Sequence, residues 1–555
     1  MTKIQEIKLK LPITGASWHP QWDKLIQADL DLWQRFATAQ NGPRVLIANS
    51  LPCFPNSVML ESLLGATLTL RGAQVHTLIC DAVLPACLNL KYSRARGPES
   101  VRDGIWKQHK SSCARCTTNT PVFTKLGLPL HYYSQYLPQS EVEVLAAFAD
   151  SIPFTEISHY RRDGLAIGEH ASAGCLRYFA SGNLEREADS EIVLRRYFLA
   201  ALFTARIMEN LLDKYTYDVA VFHHGIYIPQ GIVGEVCRAR GVRVVNWNPA
   251  YRKRCFIFSH GDTYHHTLLE EPVEVWKNMQ FDPKQEQEIN DYLRSRWSGS
   301  QDWIWFHDTP DARDETLVKE TGLDLSKPVI GLLTNVMWDA QLHYRANAFP
   351  NMLDWLVKTI RYFEKRPDIQ LLIRIHPAEL RGALTSRQQV QDEIRRYFPT
   401  LPTNIFIIQP ESNIDTYTAM LKCNAVIIYG TKTGVELTSM GIPVIVAGEA
   451  WIRNKGLTLD VSSEQNYYRI LDTLPLANPR LPANQVREAR KYAYHFFLRR
   501  MIPLNSIEPV DDKVPFRVKV GSLAELLPGT DKGMDIICNG ILHGAPFIYP
   551  HEEIH

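Results

Sequence analysis

The chain lacks any uninterrupted run of about 18 apolar residues, the length a spanning helix needs, so no transmembrane segment is expected. Its opening, MTKIQEIKLKLPITGASW, holds no apolar core, and no secretory leader is predicted from it. Net charge is nearly absent, because 61 basic and 60 acidic side chains leave a formal +1. That balance gives no global field to gather nucleic acid, and no nucleic-acid partner is expected. Cysteine is sparse, ten in 555 residues. Without a leader, this points to reduced thiols and a cytoplasmic protein.

What is there reads as globular. With 45% hydrophobic and 22% charged residues, the chain has material for two sizeable cores and a prior of two to four domains. VLIANS (45–50), a helical stretch at 58–71 and QVHTLIC (74–80) form a strand–helix–strand opening. Residues 185–215 read as one long helix with a stripe of Leu194, Phe198, Leu202, Ala205, Met208 and Leu212, which faces a core. DVAVFHHG (218–225) and VRVVNWNPAYRKR (242–254) are two further strands. Their polar ends, His223 and His224 on one and Asn248 on the other, would face a ligand crevice. HGDTYHH (260–266), with Asp262, His265 and His266, reads as a loop touching substrate rather than a metal site.

Between 296 and 326 the sequence turns polar and periodicity fades, which predicts a hinge. A second alternation follows: PVIGLLTNV (328–336), IQLLIRIHP (369–377), NIFIIQP (404–410), AVIIYG (425–430) and PVIVAG (443–448). Strands that alternate with helices predict parallel sheets, so the fold class is α/β. The expected division is 1–295, a link at 296–326, 327–500, and a tail at 501–555 that packs back on the first part.

The stretch at 425–460, AVIIYGTKTGVELTSMGIPVIVAGEAWIRNKGLTLD, carries the most chemistry. It predicts a strand, a small polar turn of Thr431, Lys432, Thr433 and Gly434, a helix ended by Gly441 and Pro443, and a second strand. A helix N-terminus after such a turn suits a diphosphate. Glu436, on the first turn, is placed to accept from a ribose. Thr334, Asn335, Arg374 and His376 stand at neighbouring strand ends, with Arg374 a multi-donor cation for phosphate. Arg453 and Lys455 follow the last strand and could close over the donor.

The small turn, Glu436, Gly-x-Pro and the continuation VAGEAWIRNKGLTLD resemble the donor unit of GT-B glycosyltransferases. They are similar to the C-terminal region of the capsule-polysaccharide biosynthesis family, which includes β-Kdo transferases. The resemblance implies two Rossmann-like domains facing a cleft, a sugar nucleotide donor, a saccharide or lipid-linked acceptor, and peripheral contact with the inner membrane. It implies Lys432, Thr433 and Arg374 on the phosphates, Glu436 on the ribose, His376 at the leaving group, and His224 or Glu169 as the base. Many retaining members carry an E-x7-E pair. The first acid would fall on Ile428, so retention or inversion is not fixed. A sugar-nucleotide 2-epimerase and a polyol-phosphate transferase are rival readings.

No cofactor is needed for transfer. One structural metal is nonetheless suggested by Cys80, Cys87, Cys113 and Cys116, spaced C-x6-C-x25-C-x2-C. The last pair has the short loop that lets two thiolates share an ion.

Overall fold

The computed structural model describes residues 20–38, 41–92, 113–114, 116–297, 299–303, 310–342, 346–382, 384–510 and 513–553. The readings made at 1–18, and part of the expected hinge at 304–309, lie outside the described residues.

Short apolar runs form the strands, in chain order β1 (Arg44–Ile47), β2 (Gln74–Ile79), β3 (Leu130–Tyr132), β4 (Val219–His223), β5 (Arg243–Pro249) and β6 (Cys255–His260). The next six are β7 (Val329–Leu333), β8 (Gln370–Arg374), β9 (Ile405–Ile408), β10 (Ala425–Ile428), β11 (Val444–Val446) and β12 (Leu459–Asp460). A last short strand, β13 (Ile502–Pro503), precedes a hairpin of β14 (Ile507–Val510) and β15 (Lys513–Val518).

Two large sheets result. The first has the order β13-β6-β5-β4-β1-β2-β3, the second β12-β11-β10-β7-β8-β9. In the first, β1 to β5 are parallel, β6 runs antiparallel to β5, and β13 pairs antiparallel with β6 at the edge. The second is parallel throughout. Every residue of β7, β8, β10 and β11 is buried. Both faces are covered by helices, so near-continuous apolar runs replace the alternating pattern of half-exposed strands.

Each sheet grows outward from its first strand in one direction and then in the other. The order reverses between β1 and β4 in the first sheet, and between β7 and β10 in the second. Adjacent connections there leave to opposite faces and open a crevice at the strands' carboxyl ends, the usual ligand position in such sheets.

The long helix forms at Ser190–Lys214 and buries the expected stripe except Leu212, which is only partly covered. One core cluster runs between the halves: Ile257, Leu268 and Trp276 share it with Val426, Val435 and Phe496. The chain also returns. β13 pairs with β6, Arg71 bonds Asp535, and Arg243 donates to the Ile541 carbonyl at 2.7 Å. The start of the expected hinge is not a solvated linker. Arg296 and Asp302 form an ion pair with both side chains 5% exposed, because a polar segment buries well when its charges meet partners.

Candidate functional site

At the second sheet's reversal, Thr334 and Asn335 follow β7 while Thr431 to Gly434 follow β10. The two loops are stitched together. Gly430 N–H donates to Asn335 Oδ1 at 3.1 Å, and Thr334 Oγ1 accepts from His376 N–H at 3.0 Å. The helix after the turn spans Thr433–Ser439, seven residues, so its dipole is short. Its first amides are already engaged within the turn. Thr433 N–H reaches Thr431 Oγ1 at 3.3 Å, Gly434 N–H reaches the Thr431 carbonyl at 3.5 Å, and Val435 N–H reaches the Lys432 carbonyl at 2.9 Å. The open amide cradle expected from the sequence is therefore absent; the side chain of Lys432 is the feature of this turn that reaches across. Its Nζ lies 4.8 Å from the centre of the Tyr251 ring. Burial, then the Arg296 charge, lowers the lysine's pKa.

Glu436 sits on the first helical turn as expected, but its carboxylate is not open to a ribose. The residue is fully buried. Oε1 accepts from Arg296 Nε at 2.6 Å and Lys432 Nζ at 3.3 Å, and Oε2 accepts from Tyr417 Oη at 2.6 Å. Burial alone would raise its pKa; the Arg296 and Lys432 charges outweigh this and hold it below the usual range.

Three expected donor ligands prove to clamp main chain. Arg374 is buried, and its guanidinium donates to the Gln409 and Ser412 carbonyls beyond β9. Arg453 donates to the carbonyls of Val446, Gly448 and Val461. Lys455 crosses to the Leu269 and Glu271 carbonyls. A buried cation with carbonyl partners offers little to a phosphate. His376 Nδ1 accepts from Ala378 N–H at 3.1 Å, which puts the ring proton on Nε2. Burial, Lys432 and Arg374 push its pKa down to about 4, so it is a neutral donor at pH 7.

At the first sheet's reversal, His223 and His224 close β4 and occupy separate environments. His223 lies 4.8 Å from the Trp247 ring, and His224 lies 4.9 Å from Tyr227 and 6.0 Å from His265. His224 has φ +69°, a left-handed conformation that is uncommon outside glycine. Its Nδ1 is buried without a hydrogen-bond partner, and burial, with neighbouring histidines, pushes its pKa far down. Glu169 and His170 stand on the first turn of the helix Ile167–Phe179. His170 is buried against the Ile226 carbonyl. Its ring leaves no room for a side chain at Gly231, whose Cβ would fall 2.2 Å from Nδ1.

The two reversals meet. Tyr227 Oη, beyond β4, donates to Asp339 Oδ1 at 2.8 Å, beyond β7. Trp451, beyond β11, lies 5.4 Å from Tyr264, 5.7 Å from His265 and 6.1 Å from Tyr251. His266 Nδ1 bonds Asp262 Oδ2 at 2.8 Å, with the side chains 26% and 36% exposed. Burial would lower the His266 pKa, but Asp262, Glu449 and Glu169 outweigh it and raise it. The segment read as a loop is helical from Tyr264 to Glu270, with Asp262 just before the helix and His266 on its first turn. The sequence reading missed Arg296, Tyr251, Trp451 and Glu449, whose relevance arises only when distant segments pack.

A second missed group is Glu61, on the helix Pro55–Thr69. Fully buried, it accepts from Asn49 and from Trp247 Nε1. Burial pushes its pKa up to about 8. Glu379 and Glu449 are likewise raised, to about 7. His76, His223 and His376 are lowered to about 4 and His265 to about 3. Between about pH 4 and 6.5 the four histidines hold fewer protons folded than unfolded, and between about 4.5 and 7 to 8 the three carboxyls hold more; the histidines outweigh the carboxyls up to pH 6.5, and the carboxyls alone act above it. Stability rises with pH where the unfolded state holds more protons. The urea midpoint is expected to peak at about pH 6.5 and fall on both sides; a midpoint still climbing from pH 6.5 to 8 would contradict the buried neutral carboxyls.

Cys80, Cys87, Cys113 and Cys116 line one small cavity beyond β2. Among the described residues, no helix is long and apolar enough to cross a membrane.

No known protein family matches the sequence, and no curated protein does. Solved structures show partial likeness. KpsC of Thermosulfurimonas dismutans, a β-Kdo 2,4 transferase, is 10% identical over 50% of this chain and 79% of its own, with a TM-score of 0.32. A UDP-N-acetylglucosamine 2-epimerase is 12% identical over 83% of this chain and 96% of its own, at 0.22. Sucrose-phosphate synthase of Thermosynechococcus elongatus is 12% identical over 81% and 95%, at 0.26.

Proposed function

We propose that the chain is a glycosyltransferase that takes a sugar nucleotide donor and builds a bacterial surface polysaccharide or glycolipid of capsule type. The observation that carries this reading is the contact between the two order reversals, where Tyr227 beyond β4 bonds Asp339 beyond β7, while Lys432 reaches Tyr251 in the loop beyond β5. Two parallel sheets, each with its ligand crevice turned toward the other's, suit a reaction between two bound substrates. On this reading 1–295 and 327–500 are Rossmann-like domains, and the donor lies against the second.

Lys432 would hold the diphosphate, helped by the Thr431 and Thr433 hydroxyls. The long bonds inside that turn are weak enough for phosphate oxygens to replace. His376 would donate Nε2–H to the departing phosphate as its charge grows. His266, held by Asp262, has the raised basicity a proton acceptor needs. The acceptor hydroxyl would give its proton there, its oxygen would bond the anomeric carbon, and the carbon–phosphate-oxygen bond would break. Glu169 acts through its negative charge beside His266, and His224 lines the cleft. The capsule-type role rests on the resemblance at 425–460 alone.

The test is a nucleotide screen followed by incubation. Bound ligand raises apparent stability by mass action, so UDP, CDP or CMP is expected to raise the melting temperature by several degrees. The matching sugar nucleotide should then stay unchanged until a saccharide or lipid-linked acceptor is added. An epimer formed without acceptor favours the 2-epimerase reading. No stabilisation by any nucleotide removes the sugar-nucleotide reading altogether.

A further inference from the structure

We propose that Cys80, Cys87, Cys113 and Cys116 hold one structural zinc ion at the rim of the first sheet. The assignment is independent of the sugar-nucleotide reading. β2 delivers Cys80 directly past its last residue, Ile79, and the loop that follows brings back Cys87. Cys113 and Cys116 stand on one helical turn and share a face. Although the pairs are separated in sequence, all four cysteines line the same cavity, with Leu51, Ala82, Leu84 and Asn89 completing its wall.

The cavity's size selects its occupant. Its volume is about 10 Å³, room for about one water-sized sphere. An ion fits, and an organic ligand does not. The walls other than the thiols are largely apolar, which suits a closed structural site more than an exchangeable one. Five other cysteines, Cys175, Cys237, Cys255, Cys423 and Cys538, are buried and free, and none of them lines this cavity.

A disulfide is the poorer use of these residues. None of the four forms a disulfide in the structure. Residues three apart on a helical turn have Cβ atoms roughly 5–6 Å apart, beyond the 3.5–4.5 Å or so that an S–S bond spans. A tetrahedral zinc with Zn–S bonds of about 2.3 Å bridges such a pair without that strain.

Among the described residues no three ligand side chains already stand as a metal group, so loading draws the Cys113–Cys116 turn onto Cys80 and Cys87. Each thiol loses its proton to solvent, so one zinc entering releases four protons, and no electrons move. The bound ion would tie the turn to the loop beyond β2. It would also stiffen Leu51, whose segment follows β1 at the order reversal.

Full-length protein purified without chelator is expected to carry one zinc per chain by elemental analysis. Cobalt exchanged into the site should show intense thiolate-to-metal charge-transfer absorption with tetrahedral ligand-field bands. Cys113→Ser and Cys116→Ser should reduce bound zinc to background, while Cys237→Ser keeps it. Titrating zinc into chelated protein in weak buffer should release about four protons per ion. The proposal fails if the unaltered protein binds neither zinc nor cobalt. It also fails if metal persists in the Cys113 and Cys116 variants, or if fewer than two protons leave. Should those variants not fold, the cobalt spectrum of the unaltered chain still decides.

Discussion

Glu436→Ala is expected to lower the unfolding free energy by about 3–5 kcal/mol, the usual cost of removing one partner of a buried ion pair. The carboxylate is fully buried and accepts from three donors on three segments. Its loss leaves Lys432 without its carboxylate, Arg296 with Asp302 as its remaining ion-pair partner, and the Tyr417 hydroxyl without its acceptor. Those groups cannot be rehydrated without opening the contact between the halves. Glu436→Gln keeps the shape but not the charge, and should recover only a minor part. The measurement is the urea midpoint of the purified variants, or the soluble yield if folding fails. A variant as stable as the parent would show that solvent reaches this network.

Lys432→Met should do the opposite, sparing the fold and abolishing the chemistry. The methionine keeps an unbranched stem against Tyr251. Removing the ammonium also relieves repulsion from Arg296, one of the causes of the lysine's lowered pKa. Stability is therefore expected to stay within about 1 kcal/mol of the parent. Glycosyl transfer should fall by roughly 10²–10³-fold, the loss found when one preorganised donor to a developing negative charge is removed. Stabilisation by nucleotide should weaken in parallel. Transfer at the parent's rate in this variant would remove Lys432 from the phosphate site.

The contrast between these two residues marks what the sequence could tell. Strand positions were legible, because apolar runs such as 425–428 and 329–333 have one physical use in a chain of this kind. The ends of those strands were legible too, and Thr334, Asn335 and the Thr431–Gly434 turn do meet at one order reversal. The destination of each cation was not. Arg374, Arg453 and Lys455 look like phosphate ligands in sequence, since nothing local reveals the carbonyls they clamp. Glu436 looked open because Arg296 lies 140 residues away.

The pairing of β13 with β6 has a consequence for how the molecule is made. The edge of the first sheet is supplied by residues 502–503, so a nascent chain that has emerged through the second sheet still carries an unfinished first one. Phe256 and Phe258 share their cluster with Phe516 and Phe547 and stay uncovered until those residues, about 260 to 290 positions later, have been made. During that interval the growing polypeptide exposes a sticky flank, and a factor that shelters it on the ribosome would matter more for yield than any single side chain in the cleft.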